Sequence, residues 1–130
     1  MDKTAHYIDG FILPIPREHL EQYRAVAEKV ATIWKEHGAL AYFEYVGEDL
    51  DIEGLPTFPE LLKAKADEAV IFGWTVFQSR ADRDKINKLV VEDPRMTELV
   101  APLTRGKRMI FDAGRMVFGG FQPLVYSPQY

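Results

Sequence analysis

The chain has 130 residues, a length that suits one domain with a single core. Hydrophobic residues make up 47% and charged residues 28%, a globular balance that sets aside intrinsic disorder. The absence of cysteine excludes a disulfide framework, a thiolate metal site and a cysteine nucleophile, and a net charge of −4 opposes binding along phosphate backbones.

Met1–His6 lacks a basic stretch followed by a long apolar run, so no secretion leader is expected. The first apolar run, Tyr7 to Leu13, is short, aromatic and β-branched, and Pro14 and Pro16 close it. Those features predict a strand. Leu20, Tyr23, Ala27, Val30 and Trp34 then recur at steps of three and four, the stripe of an amphipathic helix, and Gly38 supplies its stop. Leu40 to Val46 reads as a second strand. The stretch from Leu50 to Glu68 is long and irregular, with a short helix expected at Phe58–Leu62, and its length suits a lid or a binding loop.

Ala69 to Phe77 predicts a third strand, apolar at nearly every position. Ser79 and Asp82 fit the spacing that caps a helix start, and Ile86, Leu89 and Val90 give that helix its buried side. Asp93-Pro94 interrupts it and restarts a short helical turn through Met96, Leu99 and Val100. A basic turn at Thr104–Arg108 leads to a last strand from Arg115 to Phe121. The longest uncharged stretch, 116–130, is broken by glycine and proline and falls short of the about 20 apolar residues that span a membrane. A cytoplasmic setting is the expectation.

This order predicts an α+β fold of the ferredoxin-like βαββαβ kind, one domain over residues 1–130. It has a four-stranded antiparallel sheet with two helices on one face. A sheet with one face in water alternates apolar and polar residues. The third strand instead shows Val70, Phe72, Trp74 and Val76 on one side and Ile71, Thr75 and Phe77 on the other. Both faces are apolar, and each large side chain left in water forfeits about 1.5–3 kcal/mol. A second copy laid against the open face, enclosing an aromatic-lined space between two sheets, is the expected cover. The alternative is that residues 50–68 and the carboxyl-terminal tail fold over that face.

Several segments resemble one bacterial family. They are Tyr7-Ile8-Asp9-Gly10-Phe11 with Pro14 and Pro16, Trp34 to Leu40, and Phe58-Pro59, followed by Ser79 to Asp84, Asp93-Pro94-Arg95-Met96 and Met116 to Phe121. In this order, over nearly the whole chain, they are similar to the YbaA-like proteins. The resemblance implies a dimeric α/β barrel, in a superfamily that includes small cofactor-independent monooxygenases and haem-degrading enzymes. It brings no assigned reaction. The haem-degrading relatives place an amide on the first strand, a tryptophan on the third and a histidine on the second helix. Asp9 stands near the amide position and Trp74 fits the tryptophan, but residues 81–92 contain no histidine. Haem is therefore not expected. Some relatives are described as associated with a signal recognition particle RNA, which the acidic balance does not favour.

Asp9 is the leading candidate for chemistry. It lies inside a strand with Tyr7 and Phe11 on its face, where aspartate is disfavoured. A carboxylate facing an apolar space has a raised pKa and can take a proton from an acidic carbon or a phenol. Its structural alternative is an ion pair with an arginine such as Arg115, which is also a candidate ligand contact. Trp74, Phe72, Tyr42 and Tyr45 are candidates for the walls of an aromatic pocket, or are simply core. His37 ends the first helix, where it either shuttles protons or complements the helix dipole. Glu44 sits in phase opposite Phe43 and Tyr45. It is a possible partner for Asp9, but the preferred reading is a charge that protects an edge strand.

Three scattered histidines lack metal-ligand spacing, and Gly119-Gly120 stands in no phosphate-loop pattern. No metal or cofactor is expected. The sequence thus supports a homodimer that binds or transforms a small aromatic molecule between its sheets, in the manner of a cofactor-independent monooxygenase. The alternative is a non-catalytic dimeric module.

Overall fold

Strand β1, Tyr7–Pro16, runs through both of its prolines. The computed structural model describes residues 6–129; Met1–Ala5, where the reading of the leader begins, and Tyr130 lie outside the described residues. The amide of Arg17 bonds the carbonyl of Asp67, in line with the register Tyr7↔Phe77 to Pro16↔Glu68. Odd-numbered residues of β1 therefore aim their amides at β3 (Glu68–Phe77), and Pro14 and Pro16 point the other way. There the neighbouring strand β4 (Val117–Phe121) pairs only with Ile8 to Ile12, so the prolines remove no ladder bond. This is why the strand outlasts the predicted stop.

After a 3₁₀ turn at Arg17–His19, helix α1 spans Leu20–Glu36. Gly38, at φ +118°, ends it in a conformation that suits glycine. Strand β2 is Ala41–Val46, and helix α2 is Phe58–Leu62, opened by a capping box between Thr57 and Glu60. Helix α3, Arg80–Val91, is capped by Ser79, whose hydroxyl accepts the Asp82 amide at 3.1 Å. Helix α4, Pro94–Thr104, is longer than the expected turn, because Asp93 caps it and Leu103 is buried at its far end.

The four strands form one antiparallel sheet in the order β2-β3-β1-β4. Helices α1, α3 and α4 contribute to the core on one face, so three helices rather than two cover it. One buried cluster joins Phe11, Leu13, Ile15 and Ile71 to Tyr23 of α1 and Leu103 of α4. A second joins Phe77 to Ile86 and Val90 of α3, with the Trp34 ring edge-on to Phe77 at 6.1 Å. The residues of β1 and β3 in these clusters are all odd-numbered, as strand alternation requires.

The opposite face carries Ile8, Ile12, Phe43, Tyr45, Phe72, Trp74, Val117 and Phe121. Phe58 of α2 meets Phe72 edge-on at 6.1 Å, the one ring-to-ring contact between residues 50–68 and this face among the described residues. Phe72, Tyr45 and Phe121 remain 43%, 60% and 56% exposed. The tail does not bury itself either, since Leu124 is 95% exposed. Among the described residues, no helix is long and apolar enough to cross a membrane.

Candidate functional site

Register decides which side chains meet. Asp9 pairs with Thr75 on β3 and Gly120 on β4, and Thr75 pairs with Tyr42 on β2. The row Tyr42–Thr75–Asp9–Gly120 therefore points at the helices. The next row on the same face is Glu44–Gly73–Phe11–Phe118. Gly73 is required here, because a Cβ at this position would stand 2.5 Å from Cζ of Phe11 and 2.6 Å from the Phe43 carbonyl oxygen. The Phe11 ring lies where that side chain would be.

Between these rows and the helices lies a cavity of about 170 Å³. Its apolar wall includes Phe11, Val30, Trp34, Met96, Leu103 and Phe111. Asp9, Thr75, Glu44, Tyr42 and Tyr23 supply its polar atoms. Phe118 lines it too and is 50% exposed, so the cavity reaches the surface beside β4.

Asp9 is only 1% exposed. Its Oδ2 accepts a hydrogen bond from Nδ2 of Asn87 at 3.2 Å, and Nη1 of Arg83 lies 3.7 Å from Oδ1. Oδ1 itself accepts no hydrogen bond from the described residues. Burial drives the carboxyl pKa up, Asn87 and Arg83 oppose the shift, and Asp84 adds to it; the net direction is upward. Arg83 is held in turn by donating to the Tyr7 hydroxyl at 2.9 Å, with its guanidinium 5.0 Å from that ring's centre.

Glu44 forms the second polar centre. Tyr23 donates to its Oε1 at 2.5 Å and Tyr42 to its Oε2 at 2.7 Å. Burial raises the Glu44 pKa and the two phenols pull it down, leaving it raised. Both phenols are themselves pushed up, first by burial and then by the Glu44 charge. Among the described residues, Glu44 forms no ion pair, and none of the cavity's lining residues is Lys, Arg or His.

The sequence-derived candidates are thus divided. Asp9 and Tyr42 line the cavity together. Trp74 and Phe72, expected beside them, are corrected to the other face, because even-numbered residues of β3 alternate away from Asp9. There Tyr45 stacks parallel on Trp74 at 5.5 Å, and Phe43 and Phe72 lie 5.1 and 6.0 Å from it. The chamber nearest Asp9 consequently lies between sheet and helices of one chain, not between two sheets.

Arg115 is not the partner of Asp9. It makes a two-pronged bond with buried Glu68 at 2.7 and 2.9 Å and holds the 3₁₀ turn Ala113–Arg115 against the start of β3. That pairing keeps the Glu68 pKa low. His37 lies outside the cavity lining, and its Nε2 is 2.8 Å from Oδ2 of Asp93, the cap of α4. Arg95 first, and His37 second, hold the Asp93 pKa far down. The sequence does not single out Tyr23, Arg83 or Asn87 as site residues, and Glu44, weighed there as a partner for Asp9, reads instead as an edge-strand charge. The available signal was Tyr23, a phenol within a buried helical stripe that had to find a partner.

An open four-stranded antiparallel sheet, backed on one face by helices that enclose an acid-bearing cavity, defines a small α+β protein. Residues 6–113 match the family described as "Protein of unknown function (DUF1428)", and the chain belongs to that family. It is 35% identical over 119 residues to the "Uncharacterized protein YbaA" of Escherichia coli K12, covering 92% of this chain and 97% of that protein. The Shigella flexneri protein of the same name matches to the same extent. Among solved structures, a nipsnap family protein of unknown function from Agrobacterium tumefaciens superposes with a TM-score of 0.57 at 17% identity. That match covers 97% of this chain and 95% of the other. At that identity the likeness concerns the fold alone.

Proposed function

We propose that the chain is a ferredoxin-like subunit of a homodimer, paired through its open sheet face, whose sheet–helix cavity binds a small aromatic molecule. Asp9 takes a proton from that molecule. The strand order β2-β3-β1-β4 with helices on one face supports the ferredoxin-like reading. The half-exposed aromatic face supports the pairing. An engineered cavity of ~150 Å³ admits benzene, so about 170 Å³ suits one ring with a short substituent.

The observation that carries the chemistry is Oδ1 of Asp9, buried, without a hydrogen bond, at the wall of an apolar space. A carboxylate so desolvated is a stronger base than one in water. It accepts the proton from an acidic carbon next to a carbonyl, and the electron pair of the broken C–H bond moves into the enolate. In the monooxygenase-like extension of this reading, that enolate meets dioxygen as the oxidant.

The test needs only the proton step. Incubation with 2-indanone, a single fused ring system with acidic carbons, in D₂O reads deuterium uptake by NMR. The protein should accelerate uptake, and Asp9→Asn should lower the protein-dependent rate by ~10²-fold or more. Equal rates in the two folded proteins would exclude Asp9 as the base.

A further inference from the structure

We infer that the cavity's ligand carries a protonated amine, and that Glu44 is the group that receives it. This rests on the reading of the cavity as a binding site and specifies the charge of what enters. Glu44 points into an apolar enclosure from the edge strand β2, and its two hydrogen-bond partners are phenols, which are neutral donors. Among the described residues no cationic side chain lines the space, whereas Asp9 has Arg83 at 3.7 Å. Glu44 is half-buried, and a carboxylate partly withdrawn from water without a countercharge is costly. A ligand ammonium in the cavity supplies that charge.

The geometry permits it. A carboxylate has about four acceptor positions and the phenols occupy one on each oxygen, so both oxygens retain capacity. The cavity it faces is lined by Phe11, Tyr23, Trp34, Tyr42, Phe111 and Phe118, aromatic surroundings of the kind that accommodate organic cations. Asp9 sits two strands away, roughly 10 Å across the sheet. A ligand with its ammonium at Glu44 and its ring directed toward Asp9 meets both polar centres. Two carboxylates and no cation turn anionic ligands away. The inferred class is a monocyclic arylalkylammonium.

Three probes of matched shape test this in the full chain at pH 7: phenethylamine, 2-phenylethanol and 3-phenylpropionate. Binding is read by calorimetry and by NMR shifts of cavity residues. The amine should bind at least tenfold more tightly than the alcohol, and the carboxylate should not bind. Glu44→Gln should bring the amine down to the alcohol's affinity and leave the alcohol unchanged. If that variant does not fold, the comparison in the unaltered protein still decides. An alcohol that binds as tightly as the amine overturns the ammonium assignment and leaves the cavity as a binding site. Failure of all three probes to bind overturns both readings.

Discussion

Truncating Phe72 to alanine gives the sharpest test of the pairing between copies. The ring lies near the middle of the open face, on a strand flanked by two others, and 43% of it is exposed in the single chain. An aromatic ring buries roughly 200 Å², so about 85 Å² remains to be covered on pairing. At roughly 25 cal/mol per Å² this is about 2 kcal/mol per subunit. Two-fold symmetry counts it twice, giving about 4 kcal/mol per dimer, or roughly a thousandfold in Kd. The truncation also removes edge-on contacts with Phe58 at 6.1 Å and Trp74 at 6.0 Å, so the subunit itself should lose stability. A thermal melt separates that loss from dissociation. The assay is sedimentation velocity from nanomolar to tens of micromolar, where the 14.9 kDa chain should run as a dimer and Phe72→Ala should shift toward monomer. Val91→Ala is the control, since Val91 is 79% exposed at the end of α3 in the helical layer. An unaltered protein that stays monomeric throughout, or a control that dissociates equally, would refute the reasoning.

The carboxyl of Asp9 sets a second expectation. Its folded pKa is raised above the unfolded value of about 3.9, so the stability it contributes is present below that pH and is lost as pH rises through the folded value. Asp9→Asn removes this titration, and the mutant's melting temperature should equal or exceed that of the unaltered protein at pH 7. The difference should close as pH falls to 4, which a melting series by circular dichroism follows; a gap that widens toward acid contradicts it. Gly73→Ala should destabilise by about 1–3 kcal/mol, because the added methyl meets the Phe11 ring and the Phe43 carbonyl. It should also weaken binding of the cavity probes, since Phe11 lines the cavity; an unchanged urea midpoint would contradict the close approach.

Element order was legible because each element announces itself locally: the α1 stripe, the Ser79 cap, the glycine at position 38. Prolines misled where they act through neighbours. Whether Pro14 ends a strand depends on whether another strand needs its amide, and the reach of β4 is not written near residue 14. The phase of β1 correctly grouped Asp9 with Tyr7 and Phe11, but phase alone does not say which face the helices take. In a sheet whose two faces are both apolar, hydrophobicity cannot break that tie. Seeing that Trp74 faces away from Asp9 therefore required a cross-strand register, which the pairing Asp9↔Thr75 supplies.

Glu44 is instructive for the opposite reason. The edge-strand reading was sound as topology, since β2 is an outer strand. Yet an edge needs protection along its hydrogen-bonding rim, whereas a side chain projects from a face. Glu44 projects from the face that also holds Tyr42, toward Tyr23 on the covering helix. The buried phenol of Tyr23 and the half-buried phenol of Tyr42 fix that carboxyl more firmly than a surface role would require. A residue that merely discouraged aggregation would be left in water. The holding of Glu44 by two rings inside an apolar space gives the cavity its electrostatic character.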